Sequence, residues 1–218
     1  MKPVYVVDTN ILYNWALDGS NHGRHDPGAR WIPICADFCQ DPNNDIFIPG
    51  LVWAELHGLA LQKDLDLADL ERCMRDRRAL LQKIWREVYR ADARIRLVRD
   101  PFDPTLAERL CRLDPTPEML QALERQQIKG RADGRNSRAK LLDGVDSAIL
   151  ASAISIAQEV RPRPVRLVTL DVGLGLVNDH LARSRTALPD LTIPANLGFR
   201  LFLGNWRSGG AGDRRGWT

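Results

Sequence analysis

Residues 3–13 read PVYVVDTNILY, and this stretch decides the fold. Val4 to Val7 form an unbroken β-branched and aromatic run, which suits a strand covered on both faces, as in a parallel sheet. Asp8 stands at the carboxyl end of that strand. Thr9 and Asn10 are residue types that cap helices, and ILYNWAL (11–17) supplies the apolar positions of one. The chain is therefore predicted to turn from strand to helix directly beside an aspartate.

The same grammar recurs on both sides of this unit. DIFIPGLVWAELHGLALQ (45–62) reads as a strand at Ile46 to Ile48, a Pro-Gly turn and a helix carrying Glu55 on its first turns. LLDGVDSAILASAISIAQEV (141–160) reads as a helix that Asp143 and Asp146 open on one face, with small residues that allow close approach to a sheet. RPRP ends it, and VRLVTLD (165–171) is the third clear strand, with Asp171 at its carboxyl end. Strand and helix in alternation predict an α/β fold with a central parallel sheet. Ligand sites in such sheets lie beyond the carboxyl ends of the strands, where Asp8 and Asp171 fall.

Four acidic positions thus reach one edge from separate parts of the chain. Glu55 lies among Trp53, Leu56 and Leu59, where an unpaired carboxylate is costly, so either a basic partner or a metal should neutralise it. Like charges packed within a few ångströms would leave one or more carboxyls protonated at neutral pH. A hard cation such as Mg²⁺ or Mn²⁺ removes that penalty through oxygen ligands. Each aspartate also has a plainer reading as a helix cap or first-turn acid, and for Asp143 the two readings stand level.

The remaining segments are predicted as follows. GSNHGRHDPG (19–28) is a loop and WIPICADFC (31–39) a short helix. Residues 66–95 form one long amphipathic, arginine-decorated helix with Leu70, Met74, Leu81, Ile84, Trp85 and Val88 near a 3.6 period. RLVRD (96–100) is either a short strand or the end of that arm, and two further helices follow in 100–113 and 115–128. KGRADGRNSRAK (129–140) reads as a solvated loop. Its Lys129, Arg131, Arg135, Arg138 and Lys140, with Arg125 just before, are candidates for holding phosphates near the acidic edge. Beyond Asp171, VGLGLVNDHLA should give a loop and short helix, and LTIPANL (191–197) an edge strand.

Composition sets the frame. With 218 residues, 44% hydrophobic, one domain over residues 1–205 is the expectation, with a helical insertion at about 62–140 and a flexible tail at 206–218. Lys and Arg number 31 against 28 Asp and Glu, so net charge argues for no particular partner. No stretch reaches the roughly 18–20 apolar residues of a membrane span, and the N-terminus lacks a signal-peptide pattern, which predicts a cytoplasmic protein without membrane contact. Cys35, Cys39, Cys73 and Cys111 fit neither zinc-knuckle nor redox spacing and read as reduced thiols. His22, His25, His57 and His180 show no paired spacing for histidine-based chemistry, and His57 should face away from Glu55.

DTNILY with Asp8, the glutamate of VWAELHGLA, DSAILASAI from Asp146 and VTLD ending at Asp171 together resemble the PIN-domain ribonucleases, including the VapC-type toxins of bacterial toxin–antitoxin pairs. The resemblance covers about residues 3–60 and 141–200. It implies a three-layer α/β/α domain and an acidic pocket for one or two Mg²⁺ or Mn²⁺ ions. The implied activity is metal-dependent endonucleolytic hydrolysis of RNA, leaving a 5′-phosphate and a 3′-hydroxyl. Asp8, Glu55, Asp146 and Asp171 become its acidic quartet, with Asp143 an additional ligand candidate. Thr9, Asn10 and Thr169 become supporting polar residues. Single-stranded RNA, an antitoxin protein and a second copy of the chain are the implied partners. A catalytically inactive RNA- or protein-binding module and a nuclease acting on DNA are the alternatives; the length beyond that of compact toxins keeps the toxin role open.

Overall fold

The computed structural model describes residues 1–18, 30–62, 81–90, 94–98, 103–132, 141–188 and 190–203. The elements run β1 (Val4–Val7), α1 (Thr9–Leu17), α2 (Trp31–Gln40), β2 (Asp45–Pro49), α3 (Gly50–Gln62) and α4, described over residues 81–88. They continue with β3 (Ile95–Val98), α5 (Pro104–Cys111), α6 (Pro117–Ala132), α7 (Gly144–Glu159), β4 (Val165–Val168) and α8 (Val172–Arg183).

The four strands form one sheet in the order β3-β2-β1-β4, every pair parallel. Val4 to Val7 pair with Val165 to Val168, and Val4 to Val6 with Asp45 to Phe47. Because successive strands step outward from β1 to β3 and the chain then returns to the far side of β1, the direction of winding reverses between β1 and β4. Right-handed crossovers put α1 to α4 on one face and α5 to α8 on the other. Packing agrees: α1 lies against α2 and α3, while α7 lies against α5 and α8. The sheet is apolar on both faces because Val4, Val6, Val7, Ile46, Ile48, Val165, Leu167 and Val168 are all excluded from solvent. Trp15 of α1 and Phe38 of α2 fill one side, with the Phe38 ring edge-on to Tyr5 at 5.2 Å. On the other, the Ala- and Ser-rich α7 buries ten residues against its neighbours.

Several local expectations are corrected. Of the two readings of RLVRD the strand holds, one residue earlier: Ile95–Val98 lies on the sheet edge, paired with β2 from Ile46↔Ile95 to Pro49↔Val98, so the long helix does not reach residue 95. The segment 129–140 is not all loop, since α6 continues through Lys129 and Arg131 to Ala132; a glycine inside a helix costs only about 1 kcal/mol, and Gly130 is tolerated. LTIPANL is not an edge strand. It meets β4 through one bridge, Val165↔Leu197, and a second, Val168↔Leu201, follows beyond the segment; Pro194 itself has no N–H to offer a ladder. Asn196 holds the segment instead, donating from Nδ2 to the carbonyls of Ala157 at 2.7 Å and Arg163 at 2.8 Å. No loop separates Asp171 from α8, which begins at the next residue. Leu81, Ile84 and Val88 of α4 are buried as the period predicts, but Trp85 is 46% exposed. Leu70, Met74, Cys73 and the tail 206–218 lie outside the described residues. Cys35 and Cys39 are free and buried, and Cys111 is free. Among the described residues no helix is long and apolar enough to cross a membrane.

Candidate functional site

The winding reversal leaves a crevice beyond the carboxyl ends of β1 and β4, and the chain puts Asp8 and Asp171 there. The β1–β4 ladder runs past its last strand residue: the Asp8 amide donates to the Val168 carbonyl at 3.0 Å, so Asp8 lies beside Thr169. Asp8 is buried yet polar, the end of an apolar strand turned into the N-cap of α1.

Its carboxylate is the hub of a hydrogen-bonded cluster. Oδ1 accepts from the Thr9 amide at 2.6 Å. Oδ2 accepts from the Thr169 hydroxyl at 2.6 Å and from the Asn10 side-chain amide. Thr169 Oγ1 in turn accepts from the Asp171 amide at 2.9 Å, and Asn10 Oδ1 from the Leu170 amide at 3.1 Å. Asn10 and Thr169 therefore stitch the β1–α1 turn to the β4–α8 turn. The Thr9 hydroxyl faces outward from this knot and donates to Glu55 Oε2, which ties in the second turn of α3. A neutral hydroxyl, not a base, is the recorded partner of Glu55.

Asp143 and Asp146 form a reciprocal capping box at the start of α7. Asp143 Oδ1 accepts from the Asp146 amide at 2.9 Å, and Asp146 Oδ2 accepts from the Asp143 amide at 3.1 Å. Asp143 is thus an N-cap, as its plainer reading had it. Asp171 caps α8 through Oδ1, which accepts from the Leu174 amide at 2.8 Å.

These carboxylates feel one another. Burial pushes the Asp8 carboxyl up to about 6, helped by the charges of Asp171 and Glu55 and opposed by the hydrogen bonds from Thr169 and Thr9. Burial likewise pushes Asp146 up to about 7, with Asp171, Asp143 and Asp8 adding to the rise. Such mutual repulsion is what a divalent cation would relieve, and the donors are all hard oxygens suited to Mg²⁺ or Mn²⁺. As the side chains lie, however, no three Asp, Glu, His or Cys among the described residues converge to hold an ion. The carboxylates are gathered at one edge, with an oxygen of Asp8, Glu55, Asp143, Asp146 and Asp171 each engaged by the chain itself.

Of the basic candidates, Arg125 is exposed on α6, which packs against α8. The side chains of Lys129 and Arg131, and residues Arg135, Arg138 and Lys140 altogether, lie outside what is described. His57 takes no part in the acidic cluster; it bonds to Trp53 and Trp85. That aromatic grouping escaped the sequence reading, although the i, i+4 spacing of Trp53 with His57 and of Trp85 with Tyr89 is its signal.

Comparison with known proteins adds three findings. The PIN domain family matches residues 5–180 of this chain. No curated protein matches. Among solved structures, the crystal structure of VapBC2 from Rickettsia felis bound to a DNA fragment from their promoter is similar at 16% identity, over 87% of this chain and 96% of that one, with a TM-score of 0.36.

Proposed function

We propose that this chain, which belongs to the PIN domain family, is an endoribonuclease that cuts single-stranded RNA with one or two Mg²⁺ or Mn²⁺ ions at Asp8, Glu55, Asp146 and Asp171. PIN domains are generally nucleases and generally use divalent metal ions. The observation that carries the proposal is the buried Asp8 carboxylate, raised by burial and by the neighbouring charges of Asp171 and Glu55 at the winding reversal. A structural cap has no need of acidic neighbours; a cation site does.

When bound, the ion supplies a hydroxide at neutral pH by lowering the pKa of a water, and offsets charge developing on the phosphate. The chain's own residues do the rest. Asp8, held from three sides by Thr9, Asn10 and Thr169, presents a carboxylate of fixed orientation. Thr9 keeps Glu55 within reach of the same edge. Asp146 and Asp171 each anchor one oxygen at a helix N-terminus, which fixes the carboxyl group while its second oxygen serves a ligand. Asp143 orients Asp146 through the capping box and is assigned a positioning role. Arg125 and the basic residues up to Lys140 hold phosphates that the carboxylates would otherwise repel. The reading extends to a toxin restrained by an antitoxin protein and able to self-associate.

The test is cleavage of labelled single-stranded RNA and DNA with Mg²⁺ or Mn²⁺, with an EDTA control, for wild type and Asp8→Asn. RNA should be cut only with metal, and Asp8→Asn should slow cutting by on the order of 100-fold or more while remaining folded. Absence of metal-dependent cutting, or cutting indifferent to Asp8→Asn, overturns the proposal; preference for DNA overturns its substrate.

A further inference from the structure

On α3, positions two apart lie about 200° apart around the axis, so the helix that turns Glu55 toward Thr9 turns Trp53 and His57 to its other side. There they meet Trp85 of α4 and Tyr89 just past its end. His57 Nδ1 lies 2.7 Å from the Trp53 carbonyl oxygen, and Trp85 Nε1 lies 3.0 Å from His57 Nε2. A carbonyl only accepts and an indole N–H only donates, so the tautomer that satisfies both contacts donates from Nδ1 and accepts at Nε2. The rings interlock: Trp53 and His57 at 4.6 Å, His57 and Trp85 at 5.7 Å, Trp53 and Tyr89 at 6.5 Å.

Leu81, Ile84 and Val88 already give α4 its buried side, yet Trp85 is 46% and Tyr89 69% exposed. The indole's polar edge is bonded inward to His57, which leaves ring surface outward. Arg86 and Arg90 are exposed beside them, Arg90 carrying a surface pair with Glu87 at 3.4 Å. Two aromatic–arginine doublets four residues apart set two rings in one row and two guanidiniums in the next. Surfaces for unpaired nucleic acid combine stacking rings with cations, and both are present in these two rows.

We propose that Trp85 and Tyr89, braced by His57 and Trp53, stack unpaired bases of a nucleic-acid strand whose phosphates meet Arg86 and Arg90. This deepens the proposed function and rests on it for the identity of the strand as RNA. The platform and the acidic edge occupy opposite sides of α3, so a strand of several nucleotides engages both and a dinucleotide only one.

The test is the affinity of a labelled oligouridylate of about 12 nucleotides, a length within the range single-strand-binding surfaces cover. It is measured by anisotropy in EDTA, where cutting is absent. Trp85→Ala and Tyr89→Ala should each weaken binding about 5- to 100-fold, and Trp85→Phe, which keeps a ring, by less than about 3-fold. Absence of wild-type binding, or undiminished binding by folded Trp85→Ala, overturns the proposal. Undiminished binding together with a changed oligomeric state assigns the rings to a protein contact instead. Binding that depends on Trp85 without any cleavage in Mn²⁺ leaves the platform standing and removes the nuclease reading. Cleavage with an unchanged KM in Trp85→Ala does the reverse.

Discussion

Asp146 shows how a single carboxyl can be worth more as a charge than as a contact. Its ordinary value of 3.8 rises to about 7 in the fold, chiefly by burial. The folded state therefore holds the proton more tightly than the unfolded chain does, and ionisation costs stability. That cost is absent below pH about 4, grows between about 4 and 7, and is complete above 7. Asn can keep the carbonyl that accepts from the Asp143 amide while removing the charge. In EDTA, Asp146→Asn should accordingly be more stable than wild type at pH 8, by about 1–2 kcal/mol after discounting for its partial exposure, and no more stable at pH 4. Urea unfolding at the two pH values measures it; a loss of the same size at both would mean that repulsion is not what the carboxyl feels. At this scale the sequence was informative about identity and silent about partners. Asp8 and Asp171 were legible because each follows a strand run. The bond from Thr9 to Glu55 was not, because it joins residues 46 apart.

Elements here owe their boundaries to caps and their placement to contacts between distant segments. Asp8, Asp103, Asp143 and Asp171 each cap a helix with a side-chain oxygen, which fixes where α1, α5, α7 and α8 begin; α1 and α8 start earlier than the sequence reading put them. The seating of α8 has no such local signal. A Cβ built on Gly175 would lie 2.0 Å from Arg200 Nη1, and Arg200 is held by Asp179, Nε to Oδ2 at 3.2 Å and its amide to Oδ1 at 2.8 Å. Gly175→Ala should therefore destabilise by about 1–2 kcal/mol although alanine favours a helix by about 1 kcal/mol. In an Arg200→Ala background the same change should stabilise. Denaturant midpoints of the four proteins complete the cycle, and additive effects would refute the packing account. The last four residues of α6, 129–132, were misjudged as loop, and RLVRD was left between strand and helix end, for a related reason: charge and glycine content describe how a segment meets water, not whether a neighbour completes its hydrogen bonds.

For the molecule as a whole, the proposed cation site would link stability to metal. A ligand that binds only the folded state at about a hundredfold excess over Kd adds about 2.7 kcal/mol, or about 5–10 °C in Tm for a domain of this size. With Asp8 near 6 and Asp146 near 7, protons displace the ion at low pH. Mn²⁺ should thus raise Tm at pH 8, raise it little at pH 5, and leave Asp8→Asn largely unmoved at either. Equal shifts at both pH values would place the ion elsewhere. The sequence by itself determined the strand–aspartate–helix units, the parallel sheet and the acidic residues, since periodicity and capping act between neighbours. Only the tertiary structure decided the strand order β3-β2-β1-β4, the union of Asp8 with Thr169 and Asn10, the hydroxyl that meets Glu55, and the aromatic cluster on the far side of α3. Those depend on which distant surfaces exclude water together, and no local pattern encodes that.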